Sequence, residues 1–166
     1  MAPKCVLGID PPNAWGVVVG DRYVDSGSWS KKLTANKLAM QIVQAVEIAT
    51  SLGATHCVIE DQWVEWRDQF SSTERAGRAR SALITAKRAG MWAQEWQRHM
   101  PRNVLYAPPQ VWRKAVIGSM KGMRAKQMKE ACIDMVQAIY QKLKGEDESE
   151  ALGIARYGSF LEWRKP

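Results

Sequence analysis

Four carboxylates stand where they can act together. Asp10 and Glu60 each close an apolar run, KCVLGID (4–10) and HCVIE (56–60), and Asp147 and Glu150 lie three apart in GEDESEALGIARYG (145–158). Residues at i and i+3 share a helix face, so Asp147 and Glu150 can chelate as a pair. Carboxylates crowded together repel and hold their protons unless a cation lies between them. Mg2+ and Mn2+ take oxygen ligands, so divalent-metal chemistry is what such a set suits. Plainer assignments compete. Asp10, before Pro11-Pro12-Asn13, can close an Asx turn. Glu60 can be a polar residue where the chain leaves the core. Asp147-Glu148-Ser149-Glu150 has capping-box spacing with Asp147 as N-cap, and acids in a first turn suit the helix dipole. Glu146 and Glu148 are expected to be solvated.

The elements that must position these acids follow from the pattern. KCVLGID reads as a buried strand halted by Pro11-Pro12. WGVVVG (15–20) and RYVDSGSW (22–29) follow at hairpin spacing, with Gly20-Asp21 as the turn. A helix over 35–52 puts Leu38, Ile42, Ala45, Val46 and Ala49 on one face, ended by Gly53. HCVIE is a second buried strand. Residues 61–72 read as a polar, aromatic loop and 73–99 as a helix weakened at Gly77 and Gly90. NVLYA (103–107) is a short strand, and Pro108-Pro109 opens a helix that stops near Gly118. Met128, Cys132, Met135, Ile139 and Leu143 mark the apolar face of the next helix, which Gly145 is expected to end. A last helix covers about 147–162. The order gives an α/β protein whose last two strands run parallel to a neighbour. Asp10 and Glu60 then sit at the carboxyl edge of the sheet, where ligands of open α/β sheets collect.

Composition narrows the class. A chain of 166 residues with net charge +7 fits one domain, 1–166, with a real core. No run approaches a membrane span, and no signal-peptide pattern opens the chain, so a cytoplasmic protein is expected. Three cysteines fit reduced, packed thiols (Cys5, Cys57, Cys132), and with only His56 and His99 there is no zinc spacing. From Arg75 to Lys126 there are 12 Lys or Arg residues against one acid, Glu95, which points to a polyanion partner. Eight tryptophans, most expected in the core, leave room for some to stack on unpaired bases.

Four pieces, in order and at fitting spacings, resemble the RuvC-type Holliday junction resolvases of bacteria and phages, within the RNase H-like superfamily. GIDPPNAWGVVV resembles the family's first strand with its Gly-rich second strand, and VIED its Ile-Glu-Gln. The run from Tyr106 to Met128 is similar to its basic loop and following helix. DESEALGIA resembles its Asp-x-x-Asp-Ala-Leu-x-Ile-Ala. The resemblance implies an RNase H-like five-stranded mixed sheet of order 3-2-1-4-5 flanked by helices. It assigns the catalytic, metal-binding acids to Asp10, Glu60, Asp147 and Glu150, and an invariant base to Lys126. It puts a junction-wedging aromatic at Trp63, with Trp66 and Phe70 nearby, and an upstream lysine near Arg113-Lys114. Glu150 departs from the family's usual Asp, and Pro12 from its glycine.

The activity so implied is resolution of four-way DNA junctions by a homodimer, with two Mg2+ or Mn2+ ions per site. Ions about 4 Å apart suit hydrolysis of an anionic phosphodiester. Asp10 would bridge both ions, Glu60 would hold one, and Asp147 and Glu150 would complete the sites. Trp63, Arg75, Arg78, Arg80, Arg113, Lys114, Lys121, Arg124 and Lys126 are the expected DNA contacts. Two rivals remain: a nuclease of the same fold acting on other branched DNA or RNA–DNA hybrids, and a non-catalytic nucleic-acid-binding module.

Overall fold

The computed structural model describes residues 2–11, 13–61, 71–119, 121–141 and 145–163. Three strands come first: β1 (Cys5–Asp10), β2 (Ala14–Val19) and β3 (Arg22–Ser28). They are followed by α1 (Ala35–Ser51), β4 (His56–Glu60), α2 (Ser72–His99), β5 (Val104–Ala107), α3 (Pro109–Ile117), α4 (Ala125–Tyr140) and α5 (Glu146–Ser159). The strands form one mixed sheet of order β3-β2-β1-β4-β5, as the resemblance implies. β2 is antiparallel to both β1 and β3, with Gly20 at φ 61 in the β2–β3 turn. β4 runs parallel to β1 and β5, reached through helical crossovers.

Alternation along the strands divides the core between the two faces of the sheet. Leu7, Ile9, Val17, Cys57 and Ile59 face α1 and α2, where Ile42, Val46, Trp92 and Trp96 meet them. Val6, Val18 and Val58 face α3, α4 and α5, where Trp112, Val116, Cys132, Val136 and Ile154 close the second core. Both faces of β1 and β4 are covered, which is why they read as unbroken apolar runs. α1 buries the five residues expected of it, and Thr34 Oγ1 accepts from the Lys37 amide to cap it. α2 is continuous through Gly77 and Gly90, but its buried residues begin only at Ala89.

Several boundaries differ from expectation. Gly145 does not end α4; it is the N-cap of α5. α4 stops at Tyr140, with Gln141 in the left-handed region at φ 50, and Leu143 lies outside the described residues. The stripe α4 buries is Cys132, Ile133, Val136 and Tyr140, because α3 and α5 lie on that side, and Met135 is exposed. α5 begins one residue before Asp147, so Asp147 lies inside the first turn instead of capping it.

α5 lies against the sheet at backbone distance. A Cβ at Gly8 of β1 would sit 2.2 Å from the Ala151 carbonyl oxygen and 2.3 Å from the Ala155 nitrogen, so only glycine fits. The small residues of α5 divide by face. Ala151 and Ala155 meet Gly8, whereas Gly153 makes room for Trp112 and Val136. Ser159 Oγ pins the far end of the helix, donating to the Lys4 carbonyl at 2.6 Å and accepting from the Gly20 amide at 2.6 Å.

Candidate metal centre

The first turn of α5 hangs over the carboxyl ends of β1 and β4. Val6, Gly8 and Asp10 alternate onto the α5 side of the sheet, and Val58 and Glu60 do the same one strand away. Asp10, Asp147 and Glu150 each offer a carboxylate oxygen within 4.8 Å of the others. Glu60 stands beside this trio. Its Oε2 accepts from Trp112 Nε1 at 2.9 Å and lies 3.8 Å from the Arg113 guanidinium. Asp10 and Glu150 are buried, at 8% and 4% exposure, whereas a quarter of the Asp147 side chain is open.

The electrostatics are those of acids held together against their preference. The Asp10 carboxyl is held well above the usual carboxylate range, first by burial and then by the charges of Glu60, Glu150 and Asp147. Burial also raises Glu60, against the lowering charge of Arg113 and the Trp112 hydrogen bond. Neighbouring cations offset part of the charge. Lys31 Nζ contacts Asp147 at 3.0 Å, Lys129 Nζ contacts Glu150 Oε2 at 2.9 Å, and Arg113 pairs with Glu150 Oε1. The Asp10 carboxylate makes no hydrogen bond or ion pair among the described residues. The three hard oxygen donors of Asp10, Asp147 and Glu150 fit Mg2+ or Mn2+, and the set contains no thiolate or imidazole that would favour a softer ion.

The remaining expected site residues scatter. Lys126 lies outside the cluster: its side chain is 87% exposed and its Nζ is 3.7 Å from Glu130. The α4 lysine that reaches the acids is Lys129, one turn further along the helix. Arg75, Arg78 and Arg80 lie on the exposed first half of α2, and Lys114, Lys121 and Arg124 are exposed near α3 and the start of α4. Arg113 is turned inward to the acids. Trp63, Trp66 and Phe70 lie outside the described residues. Glu148 is not simply solvated, since it accepts from Ser26 Oγ at 2.8 Å and Ser28 Oγ at 3.1 Å and so ties α5 to β3. Glu146 is exposed, 3.6 Å from Lys129.

Four residues of this site carry no strong sequence signal. Lys129 lies at i+3 from Lys126 and shares its face, which is a usable hint. Trp112 looks like core, and its indole donor to Glu60 is invisible in the sequence. Lys31 sits in a turn after β3. Asn13 follows the two prolines. Its Nδ2 donates to the Trp29 carbonyl at 2.7 Å and to Asp147 Oδ2 at 3.3 Å, bracing the open acid from the sheet side.

No family model matches this sequence, and no curated protein does. Solved structures match by shape. Thermus thermophilus RuvC superposes with a TM-score of 0.55 and 20% identity, over 92% of this chain and 91% of that one. The same organism's RuvC in complex with a Holliday junction substrate matches with a TM-score of 0.55 and 21% identity, over 93% and 92% of the two chains. Across nearly all of its length, this chain has the RuvC-like form of the RNase H-like fold.

Proposed function

We propose that this chain, working as a single nuclease domain over 1–166, is a divalent-metal-dependent endodeoxyribonuclease. On this reading it resolves four-way DNA junctions by paired symmetric nicks, as a homodimer in the cytoplasm. The observation that carries this reading is the convergence of Asp10, Asp147 and Glu150 where α5 meets the strand ends. A RuvC of the same fold has been solved with a Holliday junction substrate, which favours junctions over other branched DNA as the substrate.

Asp10, Asp147 and Glu150 would hold one Mg2+ or Mn2+, and Glu60 with Asp10 or Glu150 a second. Bound divalent ions would supply Lewis acidity, which draws charge from the phosphate, lets a water give up a proton to become the attacking hydroxide, and stabilises the oxygen that leaves phosphorus. The chain's own residues do the rest. The backbone of Asp10 is held at the end of β1 by its pairing with Ala14 of β2, which keeps this acid at the sheet edge. Trp112 fixes the Glu60 carboxylate by its indole N–H, and Asn13 does the same for Asp147, so neither acid has to be ordered during the reaction. Lys129 and Arg113 lie close enough to balance the negative charge that builds on phosphate oxygens. The exposed bases of α2 and of the 114–126 segment supply salt-dependent affinity for the DNA arms.

The test is cleavage of a labelled synthetic four-way junction in Mg2+ or Mn2+, with products mapped on all four strands and an RNA–DNA hybrid alongside. Paired symmetric nicks are expected. Asp147→Asn should lower the rate by about 1,000-fold or more while junction binding stays within about threefold, because the loss falls on the chemical step. Wild-type rates in Asp147→Asn would rule the site out, and cutting of the hybrid alone would move the substrate to RNA–DNA duplexes.

A further inference from the structure

We propose that Arg113 is the resident counter-ion of the Glu60–Glu150 half of the site, and that a divalent cation reaches those two carboxylates only by displacing its guanidinium. This rests on the metal-dependent reading above and concerns how that site is loaded. Among the described residues, the three cations that pair with these acids are not alike. Lys31 and Lys129 are partly in water, with side chains 60% and 37% exposed, and can turn away freely. The Arg113 side chain is 16% exposed. One terminal nitrogen touches Glu150 Oε1 and lies 3.8 Å from Glu60 Oε2. The guanidinium carbon is 5.1 Å from the Trp112 ring centre, and that same indole donates to the same Glu60 oxygen. Arg113 therefore occupies the space between two carboxylates, where an ion shared by them would have to sit. Two cations cannot share it.

The seat is also imperfect for arginine. Arg113 Nε is buried without a hydrogen-bond partner among the described residues. A buried unmade donor costs free energy, and the cost lapses once the side chain turns toward solvent. The guanidinium is held by its charge partners more than by a complete set of hydrogen bonds, so a competing divalent charge can dislodge it. Among the described residues, the Asp10–Asp147 half has no such buried occupant: its ion-pair partner is the largely exposed Lys31, on Asp147. The two halves should therefore load unequally, first at Asp10–Asp147 and then, more weakly, at Glu60–Glu150.

Calorimetric titration of the full chain with Mn2+, without DNA, tests this. Wild type is expected to bind in two unequal steps. In Arg113→Gln the weaker step should tighten by about tenfold, the scale on which a close opposite charge acts on a carboxylate. Lys114→Gln removes the same charge from the neighbouring, exposed position and should change neither step by more than about twofold. If Arg113→Gln fails to give a native far-UV spectrum, Arg113→Lys keeps the charge without the planar fork and should show a smaller gain of the same sign. Equal or weaker affinity in the folded Arg113 variant would overturn the proposal, as would an equal gain in Lys114→Gln. Failure of every variant to bind Mn2+ would instead overturn the metal reading beneath it.

Discussion

Two helix starts in this chain are spelled almost alike and behave differently. Ser71-Ser72-Thr73-Glu74 opens α2, and Asp147-Glu148-Ser149-Glu150 lies in the first turn of α5. At α2 the capping box closes: Ser71 Oγ accepts from the Glu74 amide at 3.2 Å, and Glu74 Oε2 accepts from the Ser71 amide at 2.7 Å. At α5 no side chain caps the helix, because Gly145 holds the N-cap position. Asp147 and Glu150 instead take partners from four other places: Asn13, Lys31, Arg113 and Lys129. The surroundings decide. The first turn of α2 stands in solvent, where the nearest backbone N–H is the best donor on offer. The first turn of α5 is pressed onto the sheet edge, where other elements bring stronger, charged donors.

If close packing diverts the second set of acids, filling the contact should undo it. Gly8→Ala is expected to cost about 3 kcal/mol or more, because the added Cβ meets the backbone of α5 and not a side chain that can turn aside. Urea unfolding would measure it. Gly77→Ala, in the exposed part of α2, would place its Cβ with nothing within 4 Å among the described residues and should stabilise by about 0.5–1 kcal/mol through helix propensity. Equal effects at the two glycines would break the contrast between the helices.

The two regions should also respond to pH with opposite sign. Asp10 has its native pKa raised by burial and then by the neighbouring acids, so it binds its proton more tightly folded than unfolded. Its contribution to the metal-free protein is complete below the unfolded value near 4 and is lost as pH rises through the native value. Glu74 is lowered, by the Ser71 backbone hydrogen bond and then its side-chain hydrogen bond. Its contribution is present above the unfolded value of about 4.3 and is lost as pH falls through the native one. Unfolding in EDTA should therefore show Asp10→Asn gaining on wild type as pH climbs from about 4 to 8. Glu74→Gln should lose ground to wild type as pH climbs from about 3 to 5. A pH-independent difference for Asp10→Asn would mean that the acid is not held against its charge.

Most of the fold is legible in the sequence because it rests on period and punctuation. β1 and β4 are apolar runs ended by acids, α1 shows its buried face in full, and Gly20 and Gly118 mark true turns at positive φ. The α5 start was less legible for a physical reason. Capping spacing is a local signal, and Gly8, more than 130 residues upstream, decides what the acids face. The cations are harder still. Lys126 and Lys129 lie on adjacent positions of one helix face, and the turn that carries Lys129 inward depends on how α4 rests on α3 and α5. Trp112 and Asn13 serve the site through single donor atoms, which residue type does not reveal.

A small effect at the start of α2 separates capping from chemistry most cleanly. Ser71→Ala removes one half of the α2 box and should cost about 1 kcal/mol, the ordinary worth of an N-cap side chain. Ser71 touches none of the acids, so junction cleavage in Mg2+ should keep its wild-type rate at a temperature where the variant is fully folded. Amide exchange should quicken at Glu74, whose N–H loses its acceptor, and remain unchanged at Ser149, whose amide is bonded to the Gly145 carbonyl at 3.0 Å. A fall in cleavage without loss of folded protein would mean that the start of α2 does more than begin a helix, and the two turns would be less different than their contacts make them.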